Sequence, residues 1–231
     1  MNDKHMKDYK KVSLWHKLVC AVFPERCPFC NEVILPGAFA CDDCIKKFPE
    51  TDYVTHAAGG YICASRFLYN SSFKNGVINL KFKSGKQHVF QIAGFMYEEI
   101  KRQYGDMYFD FITCVPMHEK DKAKRGFNQT ELLAKRLSEY TGIPFFEALK
   151  KTVITKPQHT LDRKSRATNL NGAYKVVDKN AVEGKTILIC DDLITTGATL
   201  GECCKTLEEA GAKDIFGITL CKAEHINLEK L

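Results

Sequence analysis

The clearest hydrophobic pattern in the chain is an unbroken apolar run, Ile187-Leu188-Ile189-Cys190, that meets two adjacent carboxylates, Asp191 and Asp192. Such a run predicts a strand buried on both faces, as in a parallel sheet. A loop of threonines with one glycine and one alanine follows, and Leu200 to Ala210 reads as a helix stopped at Gly211. The same order occurs upstream. Phe109 to Val115 predicts a buried strand ended by Pro116-Met117-His118, residues 120–125 a basic loop, and Thr130 to Tyr140 a helix with Leu132, Leu133 and Leu137 inside. Tyr61 to Tyr69 and Ile215 to Cys221 predict further strands. Phe73 to Phe82, capped by Asn70-Ser71-Ser72, and His88 to Tyr104 supply apolar helical faces. Residues 141–180 are less regular and predict a hood over the sheet edge. Strands alternating with helices imply an α/β fold with a mostly parallel sheet flanked by helices, and ligands of such sheets sit beyond the carboxyl ends of the strands.

The N-terminal part follows a different pattern. Ser13 caps a short amphipathic helix, Leu14 to Phe23, and two Cys-x-x-Cys knuckles follow, Cys27-Pro28-Phe29-Cys30 and Cys41-Asp42-Asp43-Cys44. Knuckles this close can set four thiolates tetrahedrally around one structural Zn²⁺. No histidine lies between them, which favours a closed site over a catalytic one. A module of about this size, residues 20–50, has too little core to fold without its metal; residues 60–231 form the larger domain.

Composition narrows the function classes. The chain has 231 residues, 45% hydrophobic and 27% charged, as in an ordinary soluble globular protein, and its net charge of +6 is a mild pull on anionic partners. No apolar run is long enough to span a bilayer. Leu18 to Phe23 is too short for a secretory core and lacks a small-residue cleavage site, so a cytoplasmic location is expected. Of eleven cysteines, seven lie outside the knuckles (Cys20, Cys63, Cys114, Cys190, Cys203, Cys204 and Cys221), mostly in apolar segments. They are expected to be small core hydrophobes without disulfides.

Three candidate chemical elements fall at predicted strand ends: Pro116 to His118, the basic 120–125 segment, and Asp191-Asp192 with Thr195 to Thr199. A hydroxyl and glycine loop leading into a helix N-terminus favours a phosphate. The Asp pair can hold sugar hydroxyls or Mg²⁺. A phosphate-binding loop of the ATPase type is absent, because Gly85-Lys86 has Leu80 at the first glycine position and Gln87 after the lysine. The Gly-x-Gly-x-x-Gly dinucleotide fingerprint is absent too.

Residues 187–199 resemble, position by position, the phosphoribosyl-pyrophosphate (PRPP) signature of type I phosphoribosyltransferases. Over nearly its whole length the chain is similar to the ComF family of competence-related proteins, which place a four-cysteine zinc finger before a phosphoribosyltransferase-like domain. The matching residues are the knuckles, Leu80-Lys81-Phe82-Lys83, Val115-Pro116-Met117-His118, Arg125-Gly126-Phe127-Asn128-Gln129 with Leu132-Leu133-Ala134, Pro157-Gln158, Asn169 and Gly172-Ala173-Tyr174.

The resemblance implies a type I phosphoribosyltransferase-like sheet with a small N-terminal zinc module. It implies that Thr195, Thr196, Gly197, Ala198 and Thr199 cradle the 5′-phosphate of PRPP. Asp191 and Asp192, the catalytic pair, would hold the ribose hydroxyls directly or through Mg²⁺. Pro116 to His118 would take the pyrophosphate, covered by Lys120, Lys122, Lys124 or Arg125. No cysteine is required for catalysis, and the acceptor is left open. The family also implies a role in DNA uptake with other competence proteins. In the alternative reading the chain is a non-catalytic single-stranded-DNA-binding factor, with Lys120, Lys122, Lys124, Arg125, the 163–166 cluster, Phe127 and Tyr140 tracking the backbone. A regulator that senses PRPP would share the site and lack the chemistry.

Overall fold

The structure, a computed structural model, describes residues 13–48, 54–69, 85–153 and 172–223. The segments Phe73 to Phe82 and Leu80 to Lys83, Pro157-Gln158, the 163–166 cluster and Asn169 lie outside these residues. Helix α1 (Leu14–Val22) and the short α2 (Asp42–Ile45) belong to the N-terminal module. They are followed by β1 (Thr55–His56), β2 (Ile62–Tyr69), α3 (Gly85–Tyr104), β3 (Phe111–Cys114), α4 (Glu119–Arg125), α5 (Gln129–Thr141), β4 (Leu149–Lys151), β5 (Tyr174–Val176), β6 (Thr186–Ile194), α6 (Ala198–Glu209) and β7 (Asp214–Ala223). The main sheet has the order β1-β2-β7-β6-β3. Only β1 runs antiparallel to its neighbour, so β2, β7, β6 and β3 all end on one side. A separate antiparallel pair, β4 and β5, stands where the sequence predicts a hood.

Alternation along the strands divides the core into two layers. Ile112, Cys114, Leu188, Cys190, Ile218 and Leu220 face α3 and α5. Phe111, Ile187 and Ile189 face α6 and the hood. Helices on both faces explain why Ile187 to Cys190 is apolar without interruption: each of its side chains is buried. Six of the seven cysteines outside the knuckles are buried free thiols, as expected for core hydrophobes, whereas Cys20 is half-buried.

The knuckle module shares the first of these layers. Phe29, Ile34 and Phe39 are buried together with Phe67, Phe95 and Ile92. The Phe39 ring packs edge-on against Phe95 with centroids 5.3 Å apart. It also lies against Gly94 of α3 so closely that a Cβ there would come within 2.2 Å of the ring. Among the described residues, no helix is long and apolar enough to cross a membrane.

Candidate functional site

At the carboxyl ends of β3 and β6 opens a cavity of about 500 Å³. Two strand-to-helix crossings build it. From β6 come Asp191, Asp192, Leu193 and Ile194, then Thr195, Gly197, Ala198, Thr199 and Leu200. From β3 come Val115, Pro116, Met117 and His118, and then Asp121 and Arg125. Of the residues expected at the 5′-phosphate, Thr196 alone does not line it. Its hydroxyl instead accepts the Ala198 N–H at 3.3 Å and braces the loop.

The β6 side is held by close backbone packing. The strand continues through the Asp pair to Ile194, so both carboxylates are carried on a rigid element. Gly197 caps α6 in the left-handed region, φ 73°. A Cβ at Gly197 would lie 2.8 Å from the Ala57 Cα, and one at Gly201 would lie 2.2 Å from the Ala58 carbonyl oxygen. The turn after β1 thus buttresses the loop, and only glycine fits at both contacts. The first turn of α6 faces the cavity, where its amides and dipole favour an anion.

Asp192 is buried and Asp191 is half-buried. Asp191 Oδ1 accepts the Asp192 N–H at 2.8 Å. Gln129 Nε2 donates to Asp192 Oδ2 at 3.3 Å, and Gln129 Oε1 accepts from Arg125 at 2.8 Å. A guanidinium, an amide and a carboxylate therefore form one line across the cavity wall, from α4 through α5 to β6. The rest of Arg125-Gly126-Phe127-Asn128-Gln129 secures it. Gly126 ends α4 at φ 87°, Phe127 is buried, and the Asn128 side chain caps α5 by accepting the Thr130 N–H at 3.2 Å. Thr130 Oγ1 then donates to the Val115 carbonyl at 2.7 Å, tying α5 to the end of β3.

The basic 120–125 segment differs from its expected form. It is a helix, not a loop, with the His118 side chain as its N-cap: Nδ1 accepts the Lys120 N–H at 3.1 Å. In the neutral ring this leaves the proton on Nε2, available as a donor. The helix separates the basic side chains. Arg125 lines the cavity, and Lys120, Lys122 and Lys124 do not. Lys122 pairs with Glu131 at 2.9 Å, which holds its ammonium above the usual lysine range. Phe127 is inside the core, and Tyr140 packs against Phe90 and Tyr97. The buried Phe127 ring offers no open face for base stacking.

Lys151 and Tyr174, on the two hood strands, also line the cavity and were not among the expected site residues. Burial holds the Lys151 ammonium below its usual range. Nothing local in the sequence marks Lys151, which sits in a three-residue strand; Tyr174 carries a signal only through the family motif. Burial pushes the thiols of Cys114, Cys190 and Cys203 up, so none is a ready nucleophile.

In the N-terminal module the sulfurs of Cys27, Cys30, Cys41 and Cys44 all lie within 4.8 Å of one another. The Cys30 and Cys41 sulfurs are 3.5 Å apart. Tetrahedral thiolates around Zn²⁺ stand about 3.8 Å apart, so the four-cysteine cluster could hold such an ion.

Residues 123–230 match the phosphoribosyl transferase domain family. The chain is 32% identical to Competence protein ComFC of Streptococcus pneumoniae over 199 residues, covering 86% of this chain and 81% of that protein. It is 29% identical to Competence protein F of Haemophilus influenzae, covering 82% and 81%. It is 27% identical to DNA utilization protein YhgH of Escherichia coli K12, covering 85% and 83%. With the four-cysteine cluster ahead of a phosphoribosyltransferase-like α/β domain, and this likeness along most of both chains, the protein belongs to the ComF family.

Proposed function

We propose that the cavity binds PRPP together with Mg²⁺, and that the chain transfers the phosphoribosyl group to a nitrogen acceptor as part of the handling of DNA taken up by the cell. The observation that carries this reading is the convergence of two crossings on one cavity. The Asp pair and the Thr195–Thr199 loop line one wall, and Pro116 to His118 with Arg125 line the other. The amides of the α6 first turn and the hydroxyls of Thr195 and Thr199 take the 5′-phosphate. Asp191 and Asp192 take the ribose hydroxyls, directly or through the metal. His118 Nε2 and the Arg125 guanidinium take pyrophosphate oxygens. Mg²⁺, when bound, neutralises charge on the pyrophosphate as it departs. The bond from ribose C1 to the pyrophosphate oxygen breaks, its electron pair leaves with pyrophosphate, and the acceptor nitrogen bonds to C1 and gives up a proton. Positive charge develops at C1, and the fixed carboxylates beside it stabilise that charge. The four knuckle cysteines hold a structural Zn²⁺ that keeps the N-terminal module folded.

The role in DNA uptake rests on the likeness to the two competence proteins. A second reading, single-stranded-DNA binding, is favoured by Lys120 and Lys124, exposed on α4 beside the cavity. Incubation with Mg–PRPP and a panel of nucleobases, followed by a pyrophosphate assay, separates the two. Pyrophosphate release that disappears in Asp191→Asn supports transfer. PRPP binding without release, together with salt-sensitive single-strand binding lost on neutralising Lys120 and Lys124, supports the second reading.

A further inference from the structure

Outside the cavity and the knuckles, one more cluster of metal-ligating side chains occurs among the described residues. His16, Cys20 and Glu25 present an imidazole nitrogen, a thiol and a carboxylate oxygen, all within 4.8 Å of one another. His16 and Cys20 are four residues apart and so share a face of α1. Glu25 comes from the segment between α1 and the first knuckle, two residues ahead of Cys27. We propose that these three side chains form a second metal site for a divalent transition ion such as Zn²⁺ or Co²⁺, with its fourth position open to water.

The donor set suits that chemistry. Imidazole, thiolate and carboxylate are the three ligand types that zinc takes, and three protein ligands leave one open position. The carboxylate is already oriented. Glu25 Oε2 accepts the Gly37 N–H at 2.8 Å, while Oε1 faces His16 Nε2 at 3.1 Å. One oxygen is fixed by the backbone and the other is presented to the cluster, the outer-shell arrangement that positions metal-bound carboxylates. The Glu25 backbone is fixed as well, because its carbonyl accepts the Ile34 N–H at 3.0 Å. Cys20 also departs from the other cysteines outside the knuckles, which are buried in the core.

Helix α1 needs such a tether. It buries none of its residues, and Leu14, Trp15, Leu18, Val22 and Phe23 are each more than half exposed. Apolar packing therefore contributes little to holding α1 against the knuckle. A cation shared between His16, Cys20 and Glu25 would fix its position, since metal binding stabilises the fold that assembles the ligands.

The test is equilibrium dialysis of the full chain, its knuckle zinc first exchanged for cobalt, against micromolar free Co²⁺, with cobalt per chain and the visible spectrum read together. Two cobalt ions per chain are expected, one with the intense charge-transfer bands of four thiolates and one with a single thiolate. His16→Ala should remove one equivalent and leave the four-thiolate spectrum unchanged; the core tolerates this change because α1 buries nothing. Glu25→Gln keeps an oxygen for the Gly37 N–H and should also remove one equivalent. One equivalent in the wild type, or two retained in both variants, overturns the site and reduces the cluster to a His–Glu hydrogen bond beside a thiol.

Discussion

Substituting Gly94 by alanine sets two effects of known size against each other. Gly94 lies inside α3, where alanine is favoured over glycine by about 1 kcal/mol on helix propensity alone. Yet the new Cβ would come within 2.2, 2.3 and 2.5 Å of three Phe39 ring atoms, against an ordinary carbon contact of about 3.5–4.0 Å. The ring must give way by more than about 1 Å, and its surroundings resist. Phe39 is 4% exposed and sits edge-on to Phe90 and Phe95, with centroids 6.1 and 5.3 Å away. Overpacking of this kind costs about 1–3 kcal/mol. A cost at the upper end outweighs the propensity gain by about 2 kcal/mol, which lowers Tm by roughly 4–8 °C in a chain of this size. Phe39 is also two residues from Cys41, so the variant should release zinc to a chelator faster than the wild type. Thermal melts and a colorimetric zinc-release assay read both effects. The double variant supplies the control: in a Phe39→Ala background the clash is gone, and Gly94→Ala should stabilise by about 1 kcal/mol. A single Gly94→Ala variant that melts higher than the wild type would refute the close packing of the knuckle on α3.

Three further outcomes follow from the site and the sheet. Gln129→Ala cuts the line from Arg125 to Asp192; a hydrogen bond to a charged group contributes about 1.5–3 kcal/mol, so PRPP affinity should fall roughly 10- to 100-fold by calorimetry. Lys151, held below its usual range by burial, should be drawn back up by an anionic ligand. PRPP affinity should then decline as pH rises through the free-state pKa of Lys151, and Lys151→Met should remove that alkaline decline. Asp110 accepts the Thr186 N–H at 2.9 Å and pairs with Lys185 at 3.1 Å, which holds its carboxyl below the usual range, chiefly through the Thr186 bond. Its folded pKa is depressed, so its contribution is complete above the unfolded value and lost as pH falls through the folded one. Asp110→Asn should cost about 0.5–1 kcal/mol near neutral pH and flatten the acid limb of the stability curve.

The parts legible in the sequence are those whose physics is local. Ile187 to Cys190 could be read as a strand because both faces are buried, and Thr195 to Thr199 could be read as an anion loop because hydroxyls and glycine precede a helix. Helix α4 reads as a loop in the sequence because Glu119 to Arg125 has no apolar face; it buries no residue. Its ends do carry signals, with Glu119 and Asp121 in the first turn, basic residues in the last, and Gly126 beyond. The bond between Gln129 and Asp192 joins residues 63 positions apart, and the support of Gly197 by Ala57 joins different elements. Neither leaves a periodic trace. Lys151 reaches the cavity only because β4 pairs with β5 across a long excursion, which a three-residue strand does not announce.

A PRPP site in the cavity on β3 and β6 is tested by titrating Mg–PRPP into the full chain and following both heat and Tm. At a ligand concentration one hundred times Kd, binding to the folded state alone adds about 2.7 kcal/mol, or roughly 5–10 °C in Tm. The expected result is one-site binding with that shift, absent in Asp191→Asn/Asp192→Asn and weakened when Mg²⁺ is removed. No heat and no shift in the wild type at millimolar PRPP, or an unchanged response in the double variant, would contradict it.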